Sequence, residues 1–308
     1  PAMASTTGDV PGTFGINAAP VVDSVVLSET SIDPQGTYTV TVTVSDADTI
    51  DDLSTVVLKL WYDSDGGTPS ASEFDSAGAD VQNGAVITWT KGGTAELTPA
   101  GTTWALVNST LPDGGDFEET TFTFSFDITI GKVATETTDS ALWQIAARAT
   151  DSQDQTSFNY DAQGAQMNFY GEISVPDVTV DWGTLAAGTQ FNATGSQAAV
   201  SGAFTYIANG AYDMKVKSDD WTGDGTAVAT LATDGDTSTA QYFALKADSS
   251  GTYAEAVLVD KAGVQISSGT QTSESGDEVS TMHLWIQLAE TFEPEVYTGT
   301  ITYSVSNS

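Results

Sequence analysis

The feature that most constrains the fold is a two-residue alternation of polar and apolar side chains, which recurs along most of the chain. Residues 37–44 alternate threonine with tyrosine or valine, and residues 121–128 alternate threonine, serine or aspartate with phenylalanine or isoleucine. Successive side chains of a β-strand point to opposite faces, so this pattern is typical of strands with one buried face. The 3.6-residue period of an amphipathic helix hardly appears. The sequence therefore predicts an all-β protein.

Two series of such strands divide the chain. Besides the two runs above, we predict strands at residues 21–28, 55–62, 85–90, 104–107, 141–150, 156–160, 166–175, 178–182, 198–207, 212–217, 227–231, 240–247, 252–259, 279–288 and 297–305. A polar stretch at residues 151–164 separates the series, and 308 residues suffice for two cores of ordinary size. We therefore expect two tandem antiparallel β-sandwich domains at residues 19–163 and 164–308.

Residues 1–18 are expected to contain a leader remnant followed by an extended N-terminal arm. Residues 1–4 resemble the end of a secretion signal with an Ala-x-Ala cleavage site, either native or left by the leader of a periplasmic expression vector. Either origin predicts a secreted, extracellular or cell-surface protein. The chain has no cysteine, so its fold does not depend on disulfides in an oxidising compartment. No apolar run reaches the roughly 18–20 residues of a membrane-spanning helix, so we expect no membrane-spanning segment.

The arm itself is polar and punctuated by glycine and proline, but it carries the apolar residues Val10, Phe14 and Ile16. One interpretation is a loosely packed terminus, which is the usual state of chain ends. The other is an arm that adds a strand to a neighbouring copy, with Phe14 and Ile16 as anchors. The second interpretation predicts a homopolymer.

The charge is strongly one-sided, with 42 acidic and 8 basic residues and a net charge of -34. Such a chain repels nucleic acid and attracts divalent cations or basic partners. We therefore expect no nucleic-acid partner.

In the first half of the chain, residues 19–27, 38–48 and 143–151 resemble immunoglobulin-like modules of prokaryotic, especially archaeal, cell-surface proteins. In the second half, residues 180–189 and 297–303 resemble β-sandwich modules of secreted archaeal and bacterial pilus-type and envelope proteins. The resemblance implies surface-exposed β-sandwiches, immunoglobulin-like or jelly-roll-like, with an adhesive, envelope or filament role. It carries over no catalytic residue.

An acidic loop directly after a predicted strand is the clearest candidate for a metal site. Its carboxylates belong to Asp46, Asp48, Asp51 and Asp52. Four carboxylates within seven residues offer several hard oxygen ligands to one Ca²⁺. The alternative is a solvated turn in which aspartates accept hydrogen bonds from nearby backbone N–H groups.

Further acidic clusters provide weaker candidates. Asp63 and Asp65 form an Asp-x-Asp-Gly cluster after the next predicted strand, but they lack the ligand spacing of an EF-hand. Residues 219–225 and 234–236 are similar, and ordinary hairpin turns explain them equally well.

Other kinds of site are poorly supported by the residue types present. Zinc and copper sites draw on cysteine and histidine, and this chain offers only His283, which we expect to be an ordinary strand residue. No nucleophile elbow accompanies that histidine. Catalysis by a pair of carboxylates, as in glycosidases, stays an alternative. Among 42 acidic residues the sequence does not single out any one pair.

The tryptophans and two glycosylation motifs complete the candidate residues. Most of the seven tryptophans lie in predicted strands and are expected in the cores, which leaves Trp221 as the best exposed candidate for sugar stacking. Asn108 and Asn192 begin Asn-x-Thr motifs, at a frequency close to chance for this composition.

Together these observations favour an extracellular structural subunit of a filament, sheath or surface layer, stabilised by calcium and without catalytic residues. The alternatives are a secreted adhesion or carbohydrate-binding module with a glycan ligand and, less strongly, a glycan-active enzyme.

Overall fold

The structure, a computed structural model, describes residues 16–138, 142–192 and 197–308. Within these residues it contains 22 strands, one short α-helix and two short 3-10 helices. The prediction of an all-β protein is therefore confirmed. The α-helix, Ala71–Ser76, was not predicted, although its Ser70 and Glu73 form a capping box of recognisable spacing.

The first half of the chain contains eleven strands. They are β1 (Val21–Leu27), β2 (Ser31–Ile32), β3 (Thr37–Ser45), β4 (Leu53–Tyr62), β5 (Gly84–Thr90), β6 (Ala95–Thr98), β7 (Ala105–Thr110), β8 (Thr121–Thr129), β9 (Trp143–Asp151), β10 (Thr156–Tyr160) and β11 (Gln166–Met167). Two antiparallel sheets have the orders β1-β3-β8-β7 and β10-β9-β4-β5-β6, and β11 pairs with β2 in parallel.

Alternating side chains of both sheets meet in one core, as in a β-sandwich. On β3 the valines at 40, 42 and 44 are buried, and Val42 lies opposite Val25 on one side and Phe124 on the other. Trp89 of β5 contacts Phe124 of β8 at 5.1 Å between ring centroids, which joins the two sheets. Burial of such large rings is the main stabilising contribution in a core of this kind.

The second half also contains eleven strands. They are β12 (Gly171–Ser174), β13 (Gln197–Ala208), β14 (Tyr212–Ser218), β15 (Trp221–Gly223), β16 (Val228–Leu231), β17 (Tyr242–Asp248), β18 (Val257–Leu258), β19 (Val264–Gly269), β20 (Asp277–Leu288), β21 (Tyr297–Thr298) and β22 (Ile301–Asn307). A large sheet follows the order β12-β13-β20-β17-β16-β15-β21, with β18 on β17, and a three-stranded sheet has the order β19-β14-β22.

The buried side chains fall into two large clusters, one in each half. The first cluster extends to Met167, because β11 pairs with β2 near the start of the chain. Residues just beyond the predicted boundary at 163 therefore pack with the first half. The second cluster begins at Phe204 and ends at Tyr303.

Four predicted strands differ from the structure. Residues 166–175 and 297–305 were each predicted as one strand, but the first range contains β11 and β12 and the second contains β21 and the start of β22. Residues 178–182 form a loop, from which Val180 and Trp182 still pack against the second core. Residues 252–259 are largely a turn with only Val257–Leu258 in a strand. At residues 178–182 and 252–259 apolar side chains are partly buried, although the backbone forms no long run of strand hydrogen bonds. Alternation alone therefore did not identify the backbone conformation of these two segments.

Polar groups connect the two halves. The fully buried Asn209 donates from Nδ2 to the carbonyl oxygens of Ala134 and Asn168, both at 2.8 Å, and its Oδ1 accepts from the backbone N–H of Tyr170 at 2.6 Å. Gln271 Nε2 donates to the carbonyl oxygen of Val133 at 2.7 Å. These bonds satisfy buried backbone groups that would otherwise lack partners.

Candidate metal site

The loop that joins β3 to β4 is fixed by backbone hydrogen bonds to the segment before β8. Asp46 N donates to the carbonyl oxygen of Thr120 at 2.9 Å, and Ile50 N donates to that of Glu119 at 2.8 Å. The Ile50 side chain is fully buried. The loop is thus held by the sandwich beneath it, which gives its carboxylates defined positions.

Three of the loop's carboxylates converge. One oxygen from each of Asp46, Asp48 and Asp52 lies within 4.8 Å of the others, and no other group of this kind is found among the described residues. Oxygens around one Ca²⁺ lie at 2.3–2.6 Å from the ion, so ligands on opposite sides are separated by about 5 Å. The spacing of the three carboxylates is that of ligands to a single cation.

Two of these carboxylates have a buried oxygen without a hydrogen-bond partner. Asp46 is only 2% exposed, and its Oδ1 accepts from Asp48 N at 2.9 Å, while its Oδ2 has no partner. Asp52 accepts from the hydroxyl of Ser152 at Oδ1, and its Oδ2 is also buried and unpartnered. Buried carboxylate oxygens without partners are costly. A bound cation would satisfy both.

The electrostatics of Asp46 agree with this geometry. Burial raises the pKa of the Asp46 carboxyl, and the nearby charges of Asp52, Asp48 and Asp151 raise it further, against the hydrogen bond from Asp48 N. Without a cation the site therefore disfavours the ionised form of Asp46. The positive charge of a bound divalent cation would instead favour the ionised form of Asp46.

Asp151, which sequence reasoning did not assign to the site, lies beside it at the end of β9. It pairs with Leu53 at the start of β4 and is fully buried. Its Oδ1 accepts from the backbone N–H groups of Gln153 and Gln155 at 2.9 and 2.7 Å. The antiparallel pairing of β4 with β9 brings it to the loop, and this pairing is not evident from sequence spacing.

The first described residues of the chain contact the same site. Ala18 N donates to Asp48 Oδ2 at 2.5 Å, and Asn17 Nδ2 donates to Asp151 Oδ2 at 2.7 Å. Ile16, just before them, is 82% exposed. The other predicted anchors of the arm, Val10 and Phe14, lie outside the described residues.

The structure does not bring the remaining predicted ligands into this cluster. Asp51 is turned to Lys91, whose Nζ lies 2.7 Å from Asp51 Oδ1. Asp63 and Asp65 follow β4, whereas the cluster precedes it, and a ten-residue strand separates the two positions by about 30 Å. Asp63 Oδ1 accepts from Asp65 N at 3.1 Å, as in an ordinary Asp-containing turn.

The acids of the second half bond to protein groups. Asp220 forms an ion pair with Lys261 at 2.7 Å, and Asp224 Oδ1 accepts from Val296 N at 3.2 Å, so both connect segments that are distant in sequence. Asp234 Oδ1 accepts from Asp236 N at 3.0 Å, as the turn interpretation expects.

The prediction that Trp221 is an exposed sugar platform is wrong. Trp221 is the first residue of β15 and is only 9% exposed, because its ring packs into the second core and its Nε1 donates to the hydroxyl of Ser218 at 3.0 Å. His283 is a half-buried strand residue, as expected. The glycosylation candidates Asn108 and Asn192 are both exposed.

No family model matches this chain, and no curated protein is significantly similar to it. Across the described residues, none of the helices has the length and apolar character required to cross a membrane.

Proposed function

We propose that the protein is a calcium-stabilised structural subunit of an extracellular filament, sheath or surface layer, built from two tandem β-sandwich domains. The observation that carries the proposal is the carboxylate cluster of Asp46, Asp48 and Asp52, with its two buried and unpartnered oxygens. Ca²⁺ is the cation that suits an all-oxygen site of this spacing, in which water and backbone carbonyls complete the coordination.

A structural role is supported by the hydrogen bonds that carboxylates outside the cluster accept within loops. Many of them accept hydrogen bonds from backbone N–H groups of their own loops, which stiffens the connections between strands. Examples are Asp63, Asp80, Asp151, Asp161, Asp234, Asp236 and Asp248.

The cation site lies at the base of the proposed assembly arm. Asp48 is both a candidate ligand and the acceptor of the bond from Ala18 N. A cation that fixes the Asp48 carboxylate therefore also favours the contact that holds the start of the described chain. In this proposal the part of the arm before Asn17 adds a strand to a neighbouring copy, with Phe14 and Ile16 entering an apolar groove.

Exposed valines on one sheet support contact between copies. Val21 and Val26 lie on β1 and Val107 lies on β7, the two edge strands of the four-stranded sheet, and all three are exposed. Exposed apolar side chains on edge strands favour contact with another copy, although Ser157 and Asn159 of β10 bond part of the β1 backbone.

Negative-stain electron microscopy of the full chain with calcium and with chelator tests the proposal. We expect polymers in calcium, fewer or shorter polymers in chelator, and soluble monomers with a β-type circular dichroism spectrum after deletion of residues 5–18. Phe14→Asp should reproduce much of the defect, because it places a charge in an apolar groove. Thr13→Asp adds the same charge at the neighbouring position and is the matched control.

The assembly proposal fails if the deleted protein polymerises like the parent, or if the parent stays monomeric in every salt and calcium condition.

A further inference from the structure

A cleft of about 670 Å³ opens on the second half of the chain. It lies over β15, β16, β17 and β20, between the loop at residues 180–187 and the segment at residues 292–297, which leads into β21. The opposing sheet has only three strands, so loops rather than strands cover this part of the larger sheet. The cleft is therefore a consequence of the unequal sizes of the two sheets.

Aromatic rings form the floor and one wall of the cleft. Phe243 and Trp221 are buried in the floor, with 4.9 Å between their ring centroids. Trp182 is half-buried, lines the cleft and lies 5.8 Å from Trp221. The bond from Trp221 Nε1 to Ser218 fixes the central ring of this group.

A second pair of rings lines the cleft from the segment at residues 292–297. Phe292 and Tyr297 are half-buried and meet edge to face at 5.1 Å. The Tyr297 hydroxyl accepts from Gln241 Nε2 at 2.9 Å and donates to the carbonyl oxygen of Glu293 at 3.2 Å. The rings are held in place before any ligand binds, which lowers the entropic cost of binding.

The charged groups of the lining are all acidic. Asp181, Asp224, Glu293 and Glu295 line the cleft, and no lysine, arginine or histidine does. Glu295 accepts from the backbone N–H groups of Gly225 and Ala227, so its role is to hold the β15–β16 turn. Glu293 is exposed at the rim. This lining repels anionic ligands and offers carboxylate acceptors to hydroxyl donors.

We propose that the cleft binds a neutral oligosaccharide, with sugar rings against Trp182 and Phe292 and a sugar hydroxyl donating to Glu293. A pyranose ring has apolar C–H faces and many hydroxyl donors, and the cleft combines apolar rings with acceptors in the same way. An apolar peptide would desolvate the carboxylates without satisfying them. Because the rings come from two loops on different sides, the cleft fits an extended ligand better than a single ammonium group.

The test uses the full chain and a panel of soluble neutral oligosaccharides built from glucose, mannose, galactose or N-acetylglucosamine. Binding is measured by calorimetry and by tryptophan fluorescence. We expect saturable binding of at least one neutral oligosaccharide, with a change in tryptophan emission. Trp182→Ala should weaken binding by about tenfold or more, the equivalent of about 1.4 kcal/mol. Phe117→Ala, which removes a half-buried ring in the first half, should leave affinity unchanged.

Glu293→Lys is the second variant, because it changes an exposed side chain and leaves the packed rings intact. If Trp182→Ala does not fold, as judged by its melting curve, the Glu293→Lys result decides. The proposal is overturned if no neutral sugar of the panel binds, if only acidic oligosaccharides or alkylammonium ions bind, or if the folded variants bind as the parent does.

Discussion

Replacing Asp46 by asparagine distinguishes two effects of this carboxylate. One is the destabilisation caused by burying its negative charge, and the other is its role as a cation ligand. The side chain keeps its shape, and its remaining carbonyl oxygen can still accept from Asp48 N, as Oδ1 does now at 2.9 Å. The substitution removes one negative charge from a cluster that also contains Asp48, Asp52 and Asp151. In chelator, Asp46→Asn should therefore melt at a higher temperature than the parent.

In calcium the melting temperature of the parent should rise more than that of Asp46→Asn. A ligand that binds only the folded state at about 100 times its dissociation constant stabilises that state by about 2.7 kcal/mol. For a folding unit of about 150 residues or more, each kcal/mol shifts the midpoint by about 2–4 °C, so calcium should raise the parent's midpoint by about 5–10 °C. Asp46→Asn should lose most of this shift, because the unpartnered Oδ2 is no longer an anionic ligand.

Differential scanning calorimetry of both proteins in excess calcium and in chelator measures these shifts. Asp51→Asn is the matched control: it removes a charge from the same loop, but Asp51 contacts Lys91 rather than the cluster. This variant should retain the parent's calcium shift. Equal melting curves of the parent in calcium and chelator would refute the reasoning, and so would an unchanged calcium shift in Asp46→Asn.

Three further predictions concern pH and packing. Burial and the neighbouring carboxylates raise the pKa of Asp46 above its ordinary 3.8, so in chelator the stability that this group contributes at low pH is lost as pH rises through the raised pKa; the midpoint difference between Asp46→Asn and the parent should grow as pH rises above about 4, and a constant difference would contradict it. Trp89→Ala should lower the free energy of unfolding by about 3–5 kcal/mol in denaturant titrations, because Trp89 is fully buried against Phe124, whereas Val107→Ala at a 62% exposed position should change it by less than about 0.5 kcal/mol. Asn209→Ala should cost about 1–3 kcal/mol by the same measurement, since it leaves three backbone groups at the junction of the halves without partners; a neutral effect would mean that water replaces the side chain.

The strands of the first half were largely predictable from alternation. The observed β3, β8 and β10 begin and end within one residue of the predicted ranges. In β3 and β8 most inward residues are buried and the outward residues are polar, which is why alternation identified them. Alternation gave a wrong prediction where apolar residues of a loop pack against the core. Trp182 alternates with Val180 as in a strand, yet both lie in a loop against the second core.

The candidate site was only partly accessible to sequence reasoning. Four aspartates within one short loop pointed to a cation, but sequence proximity could not distinguish Asp51, which turns to Lys91, from its neighbours. Asp151 lies about 100 residues away and reaches the site through the β4–β9 pairing, which depends on the tertiary fold. The acidic turn at Asp63 and Asp65 has a similar composition but lies at the other end of β4.

The most direct test of the central claim is a crystal structure of the full chain grown with calcium, with anomalous diffraction data to locate the ion. We predict one anomalous peak at about 2.3–2.6 Å from a carboxylate oxygen of each of Asp46, Asp48 and Asp52. A structure at high calcium concentration with no peak between these three carboxylates, or with calcium bound only at Asp63 and Asp65, would contradict the account.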